Sequence, residues 1–295
     1  MSGKLVSVVI PTFNCKAVLR DALESVKAQT YAPIELIVVD SFSTDGTAEL
    51  ARQYGTVYSF GKDPSQKNVF GAPFQRNYGV SQAKGAYVYW FDSDMRMRPD
   101  TVRRCVEAIE ASGADAVIVP EESYGEGFWA QCRRLEKACY NENALSLTDA
   151  ARFLRKPVWD ALGGLDASLG GNDDYDLQLR LNDAGYKTIK LNDSIRHYEG
   201  HLNLRKHLRK KFVYGKTALK YFQKHRHRKG LLTKQYAVVR PDFFTQRRLL
   251  MKEPVTAAGM LLMKFMEYSA AALGLVYSVL RRESVQLRDG TSPAR

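Results

Sequence analysis

Two carboxylates one residue apart, Asp92 and Asp94, follow the strand-forming run in "AYVYWFDSD". Like charges this close disfavour joint ionisation unless solvent or a cation intervenes. A solvated turn is one reading. A divalent cation held at a strand's end is the other, because a hard cation needs converging oxygen ligands, and Mg²⁺ commonly takes one or two carboxylates plus substrate phosphates. Asp-x-Asp alone is a weak signal. Its place after an inner-strand pattern, beside loops suited to phosphates, tips the balance to the cation.

Two further acidic points stand in "VVDSFSTDGT" and "GGNDDYDL". Asp40, at the end of a β-branched run, is placed to accept hydrogen bonds from a base edge or a ribose, whereas Ser43, Thr44 and Asp45 read as a helix-starting cluster. Any one of Asp173, Asp174 and Asp176 could be a capping carboxylate. Three of them crowded after two glycines are harder to explain that way, and Asp174 is a candidate to take a proton from a hydroxyl.

All five histidines lie between His197 and His227. His197 and His201 are four apart, which on a helix would put them on one face, but no third good ligand is nearby and a zinc site is disfavoured. His197, after a strand, could reach a metal or a diphosphate; its plainer reading is an ordinary hydrogen-bonded histidine. His225 and His227 read as part of a solvated basic surface.

The elements that must position these groups alternate. Residues 5–10, 34–39, 56–59, 86–91 and 114–119 have strand patterns; 17–27, 47–54, 74–83 and 100–111 carry helix-spaced apolar residues. That order predicts an α/β fold with a mostly parallel sheet flanked by helices, whose ligands sit beyond the carboxyl ends of the strands. From Glu121 to Asn143 the strand rhythm stops in favour of a helix-like stretch. "RFLRKPVWDALGGLD" follows as a short apolar element turning at Gly163–Gly164, and "GGNDDYDLQLRL" as a glycine loop opening a helix with Leu177, Leu179 and Leu181 partly inward. Residues 188–191 form one more strand.

The chain of 295 residues, 45% hydrophobic, can bury a real core, and its 44 Lys and Arg against 32 Asp and Glu leave a +12 charge that favours an anionic partner. Four scattered cysteines argue against a zinc cluster or a disulfide framework and fit a reducing cytosol. The run before Pro11 is too short for a signal peptide. Residues 202–234 are densely basic without an acid, and apolar Leu204, Leu208, Phe212, Leu219 and Phe222 recur at helical spacing. After Pro254 an apolar helix approaches the ~20 residues of a membrane span, but Lys264 and Glu267 make spanning costly and favour a helix lying on or dipping into a membrane.

"VSVVIPTFN", "IELIVVDSFSTDGTAELA", "APFQRNYGVSQAKGAYVYWFDSD" and "GGLDASLGGNDDYDLQLRL", in this order and spacing, resemble the family 2 glycosyltransferases of the GT-A fold over roughly residues 5–200. The resemblance implies a hexosyltransferase-class enzyme with a nucleotide-sugar donor, Mn²⁺ or Mg²⁺ on its diphosphate, and inversion at the anomeric carbon. By matching position, Pro11 and Thr12 line the nucleotide pocket, Asp40 meets the base, and Arg76 lies near the nucleotide or its phosphates. Asp92 and Asp94 match the family's Asp-x-Asp, with Asp94 the direct metal ligand and His197 a further candidate. Asp174 falls at the catalytic base and Asp173 at its supporting carboxylate, where the family usually has Glu; Asp176 is an interior or helix-start residue. Ser41, where many members carry a second Asp, and Arg96, where some carry another ligand, are departures. The expected organisation is 1–120 as the nucleotide-sugar half, 121–200 as the acceptor and catalytic half, and 201–295 as a basic, amphipathic helical extension.

The extension suggests a lipid-linked or membrane-embedded acceptor at an anionic membrane surface, with the protein cytoplasmic and peripheral or monotopic at the inner face of the cell membrane. Two alternatives remain open: a nucleic-acid-binding protein whose Phe212, Tyr214, Tyr221 and Phe222 stack on bases, and a nucleotidyltransferase using the same Asp92 and Asp94.

Overall fold

β-Branched and aromatic residues build the first strands of the computed structural model, which describes residues 3–60, 71–141, 150–228, 230 and 241–280. Strands β1 (Val6–Thr12), β2 (Ile34–Asp40), β3 (Thr56–Ser59) and β4 (Tyr87–Trp90) pair in parallel. Helices α1 (Lys16–Lys27), α2 (Thr47–Ala51) and α3 (Ala72–Ser81) connect them. The register sets Thr12 opposite Asp40, so β1 and β2 end together, and Val9 opposite Trp90, so β4 stops short of them. Alternation then divides the core. Val8, Tyr89 and Phe91 pack in one buried cluster, and Val9, Val88 and Trp90 in another on the opposite face.

After β5 (Met95–Arg96) and α4 (Thr101–Ser112) come β6 (Ala116–Ile118), β7 (Glu121–Glu126), α5 (Phe128–Asn141), β8 (Phe153–Arg155) and α6 (Lys156–Leu162). Next are α7 (Asp173–Asp183), β9 (Thr188–Lys190), β10 (Ile195–His201) and α8 (Leu204–Lys224). The main sheet has the order β3-β2-β1-β4-β8-β6-β9, with β8 antiparallel to both neighbours; β5, β10 and β7 form a small second sheet. The α/β expectation therefore holds.

Two expectations are corrected. Residues 121–126 are a strand rather than the start of a helix, because they find a partner in β10 far along the chain. The apolar element at "RFLRKP" is a reversed strand inside the main sheet followed by a helix. Leu177, Leu179 and Leu181 are all buried.

Two short helices, α9 (Pro241–Thr245) and α10 (Arg247–Lys252), lead into α11 (Pro254–Leu280). Lys229 and residues 231–234 of the basic stretch lie outside the described residues. Helix α11 packs on α5 and then beside α8, running in the same direction: His207 meets Glu267, and Lys216 lies over the Tyr277 ring. Backbones touch where glycines remove side chains. A Cβ on Gly215 would lie 2.0 Å from the Ala271 carbonyl oxygen, and one on Gly274 would lie 2.0 Å from that of Phe212. Adding a methyl to a helical glycine ordinarily stabilises by about 1 kcal/mol. Here the clash reverses the sign, and Gly274→Ala is expected to cost about 1–3 kcal/mol in urea unfolding. An unchanged or higher midpoint would remove the close α8–α11 contact.

Candidate active site

The carboxyl ends of β1 and β2 are tied by side chains. Buried Thr12 donates its hydroxyl to Asp40 Oδ1 at 2.9 Å, and Asp40 also accepts from the Ser43 amide at 2.8 Å and the Ser43 hydroxyl at 2.6 Å. Gln75 of α3, also buried, donates Nε2 to the carbonyls of Thr12 at 2.9 Å and Val39 at 2.7 Å. The following loops cross-link: the Lys16 amide donates to Asp45 and the Cys15 amide to Thr47. The Ser43–Thr47 cluster thus serves the chain's own turns, as its composition suggests. Pro11 and Thr12 form a buried floor, and Phe13 is half-exposed beside it.

At the end of β4, Asp92 sits between two guanidinium groups. Arg76 of α3 bonds Asp92 Oδ1, and Arg152, just before β8, donates to Oδ2 at 3.0 Å. Both guanidinium groups lie over the buried Trp90 ring, at 4.6 and 4.2 Å from its centroid. A cation over an aromatic face gains from the ring quadrupole, so Trp90 supports both ends of the bracket. Burial alone would raise the pKa of Asp92; the two arginines outweigh it and hold the carboxyl far below the usual carboxylate range.

Asp94 is placed differently, with 39% of its side chain exposed. Its carbonyl accepts from the Tyr198 amide at 2.8 Å, while its carboxylate faces His197 Nε2 at 3.4 Å. His197 lies within β10, and its Nδ1 is 3.2 Å from Glu121 Oε2. Burial opposes a charge on the ring, but the hydrogen bonds to Asp94 and Glu121 prevail and lift its pKa to about 10. Glu121 in turn bonds Arg152 and Lys137.

The third acidic cluster begins α7. Asp173 is buried; its Oδ1 accepts from the Gly171 amide at 3.0 Å and its Oδ2 lies 3.7 Å from Arg76, which links this turn to Asp92. Desolvation first, and then the charge of Asp173, push the pKa of Asp174 up to about 6, against the pull of Arg152 and Arg76. Asp176 is fully buried and structural, gripped by Arg180 at 2.7 Å, Lys224 at 2.8 Å and His225 at 3.0 Å. His225 is therefore interior, contrary to its expected place on a solvated surface; burying Asp176 demands cationic and hydrogen-bonded partners. The loop before α7 is shaped by Gly170 and Gly171, both at positive φ. A Cβ on Gly171 would strike the Tyr214 ring of α8 at 2.6 Å.

Asp92, Asp94, Arg76, Asp173, Asp174 and His197 thus converge, while Pro11, Thr12 and Asp40 flank them at the ends of β1 and β2. His201 stands apart: on a strand, residues four apart are on the order of 13 Å from one another, so helical spacing does not apply. Sequence reasoning missed Arg152, Glu121, Gln75 and Trp90. Arg152 had a signal, a lone cation entering the apolar run "AARFL". Glu121 had none, since its partners come from Arg152, Lys137 and His197. Among the described residues no three His, Cys, Asp or Glu side chains gather as a ready metal cage. The donor set instead suits a cation that arrives with phosphate oxygens, with Asp94 open and Asp92 committed to arginines.

Residues 7–165 match the family described as glycosyl transferase family 2. The glycosyltransferase AglE of Haloferax volcanii is 30% identical over 200 residues, 64% of this chain and 65% of that one, so the chain covers less than two thirds of that relative. Among solved structures, the mannosyltransferase PcManGT of Pyrobaculum calidifontis, in complex with GDP-Man and Mn²⁺, aligns with TM-score 0.64 at 17% identity, covering 94% of this chain and 88% of that one. TarS 1–349 of S. aureus with UDP gives TM-score 0.51 at 15% identity, covering 94% and 91%. The two structures share the fold.

Arg152 is the joint between Asp92 and Glu121. Arg152→Met, similar in length but uncharged, leaves Asp92 to Arg76 alone and Glu121 to Lys137 and His197, and is expected to cost about 1–3 kcal/mol in denaturant unfolding. A loss within ~0.5 kcal/mol, the range of an ordinary surface substitution, would refute the bracket.

Proposed function

The chain belongs to glycosyl transferase family 2, and from that premise we propose that it moves a sugar, with inversion, from a nucleotide-sugar donor to an acceptor hydroxyl. The observation that carries this reading is the pairing of an open carboxylate, Asp94, with a second one, Asp174, whose pKa is lifted to about 6, across an arginine-bracketed Asp92. The first suits a cation on a diphosphate and the second suits a proton acceptor.

Asp94, backed by Asp92 and with His197 beside it, would hold Mn²⁺ or Mg²⁺; once bound there, the cation supplies Lewis-acid stabilisation to the departing diphosphate. The presence of GDP-Man and Mn²⁺ in PcManGT, and of UDP in TarS, supports a nucleotide-diphosphate donor and a divalent metal. Pro11, Thr12 and Asp40 would border the nucleoside, and Arg76 the phosphates. Asp174 accepts the proton of the acceptor hydroxyl as the new C–O bond forms at the anomeric carbon. The bond from that carbon to the diphosphate oxygen breaks, and nucleoside diphosphate leaves with the electron pair. Charge on the sugar ring is oxocarbenium-like in such displacements. A base works best with its pKa near the working pH, and Asp173 raises Asp174 toward it.

Residues 1–120 serve as the donor half and 121–200 as the acceptor half. The basic α8 and apolar α11 hold the protein at the inner face of an anionic membrane, where the acceptor is lipid-linked or membrane-embedded. The nucleic-acid alternative draws little support from the aromatics of α8: Tyr221 is buried, Tyr214 packs on the loop before α7, and Phe212 meets Tyr277. Nucleotidyl transfer would release pyrophosphate rather than nucleoside diphosphate.

Asp94→Ala is expected to abolish metal-dependent donor binding in calorimetry, while Asp174→Asn keeps binding and loses about 10²–10⁴-fold in nucleoside diphosphate release. Near-normal transfer by Asp174→Asn removes the base assignment. Because the base must be ionised, kcat/KM should fall as pH drops through about 6. Asp173→Asn takes away a like charge, lowers the pKa of Asp174 and moves that acid limb to lower pH. A limb shifted upward or unmoved contradicts the assigned pairing.

A further inference from the structure

Helix α11 is built inside out. Its only charged residues, Lys264 and Glu267, are buried, whereas every exposed position from Val255 to Leu280 is apolar except Ser269. Ser269 donates its hydroxyl to the Phe265 carbonyl at 2.9 Å, so even that group is satisfied within the helix. Val255, Leu262, Phe265, Leu273, Val276 and Leu280 recur at steps of three, four, seven and eight residues, one or two helical turns each, and form one stripe. The helix is about 40 Å long, and an uncovered apolar stripe of that length marks an interaction surface.

The inward charges are fixed. Lys264 lies 2.9 Å from Glu136 of α5 and 2.6 Å from Glu267; Glu267 also bonds His207 of α8 and lies 3.8 Å from Lys211. Arg133 completes the cluster at 2.7 Å from Glu136. Unlike an amphipathic helix of a water-soluble protein, α11 turns its charges to the protein and its hydrocarbon to the outside.

We propose that α11 lies flat in the interfacial layer of an anionic bilayer, with the stripe immersed among acyl chains, and that it does not cross the membrane. This rests on the membrane-surface reading above and resolves its geometry. The partner is a lipid surface rather than an apolar protein groove because α8, alongside, leaves Arg205, Lys206 and Arg209 exposed. Cationic side chains beside an apolar face complement anionic headgroups. Spanning is opposed by the packing. Helix α11 rests on α5 through Gly259, against Phe128 and Cys132, and farther along on α8 through Gly274. An upright α11 would drag the exposed cations of α8 into hydrocarbon, where charged groups are strongly disfavoured. In the flat arrangement they stay at headgroup depth, where long basic side chains extend to water.

The full chain should float with phosphatidylglycerol–phosphatidylcholine vesicles and bind phosphatidylcholine vesicles more weakly. The double variant Leu262→Glu with Leu273→Glu should lose at least tenfold in binding, while its slow donor hydrolysis without vesicles stays unchanged. Depth is read by attaching a fluorophore at Val255→Cys, Phe265→Cys or Val276→Cys in separate proteins and quenching with shallow and deep spin-labelled lipids. Equal shallow quenching at all three sites is the expected result. Shallow, deep, shallow quenching along the helix would mean a span and would overturn the proposal, as would failure to float accompanied by self-association through the stripe. Loss of donor hydrolysis in the wild-type chain would instead strike the proposed chemistry and leave the lipid result standing.

Discussion

A single partly buried carboxylate held by two guanidinium groups organises this molecule. Asp92 follows β4, Arg76 comes from α3 and Arg152 from the approach to β8, so the bracket fastens three elements to one point above Trp90. Charges this well covered are tolerated only when each has a partner of opposite sign. From Arg152 the pairing continues to Glu121, from Glu121 to His197, and from His197 to Asp94. Signs alternate along the whole series. It terminates at the carboxylate with the greatest access to solvent, and the two acids of one short motif acquire opposite surroundings, Asp92 as an anchor and Asp94 as the accessible one.

The start of α7 repeats this division within one helical turn. Asp173 is drawn toward Arg76, Asp176 is locked by Arg180, Lys224 and His225, and Asp174 is left with a desolvated carboxyl beside a like charge. Identical side chains take three roles because their surroundings differ. The loop that positions the turn rests on Tyr214, and Thr217 donates to the carbonyls of Leu169 and Gly170. Helix α8 is consequently part of the frame of the site as well as the bridge to α11.

Much of this was legible in the chain. The alternating pattern through residue 119 locates the first strands because β1, β4 and most of β2 are buried on both faces and bounded by turn residues, with β3 left half-open at the sheet edge. Asp92, Asp94, Asp173 and Asp174 were found through spacing and through likeness to a known motif set. What escaped depends on partners distant in sequence. Nothing local in "EESYGE" indicates that β10 will pair with it, and no property of Glu121 foretells Arg152. His225 looked solvated amid lysines and arginines, but Asp176 arrives from α7 and draws it inside. The charges of α11 were visible, whereas their direction was set by Glu136 and His207 on other helices.

The reversed strand β8 has a consequence for how the chain acquires its shape. It sits between β4 and β6, both of which precede it in sequence, and shields both from open solvent. Until residues 153–155 emerge and insert, the apolar edges of those two strands have no neighbour on that side, which is the condition that invites mispairing. Arg152 enters at that same step. The joining of β4 to β6 and the closing of the bracket around Asp92 are therefore one event, and a nascent chain that stops short of it has neither a continuous sheet nor the second arginine of the candidate site.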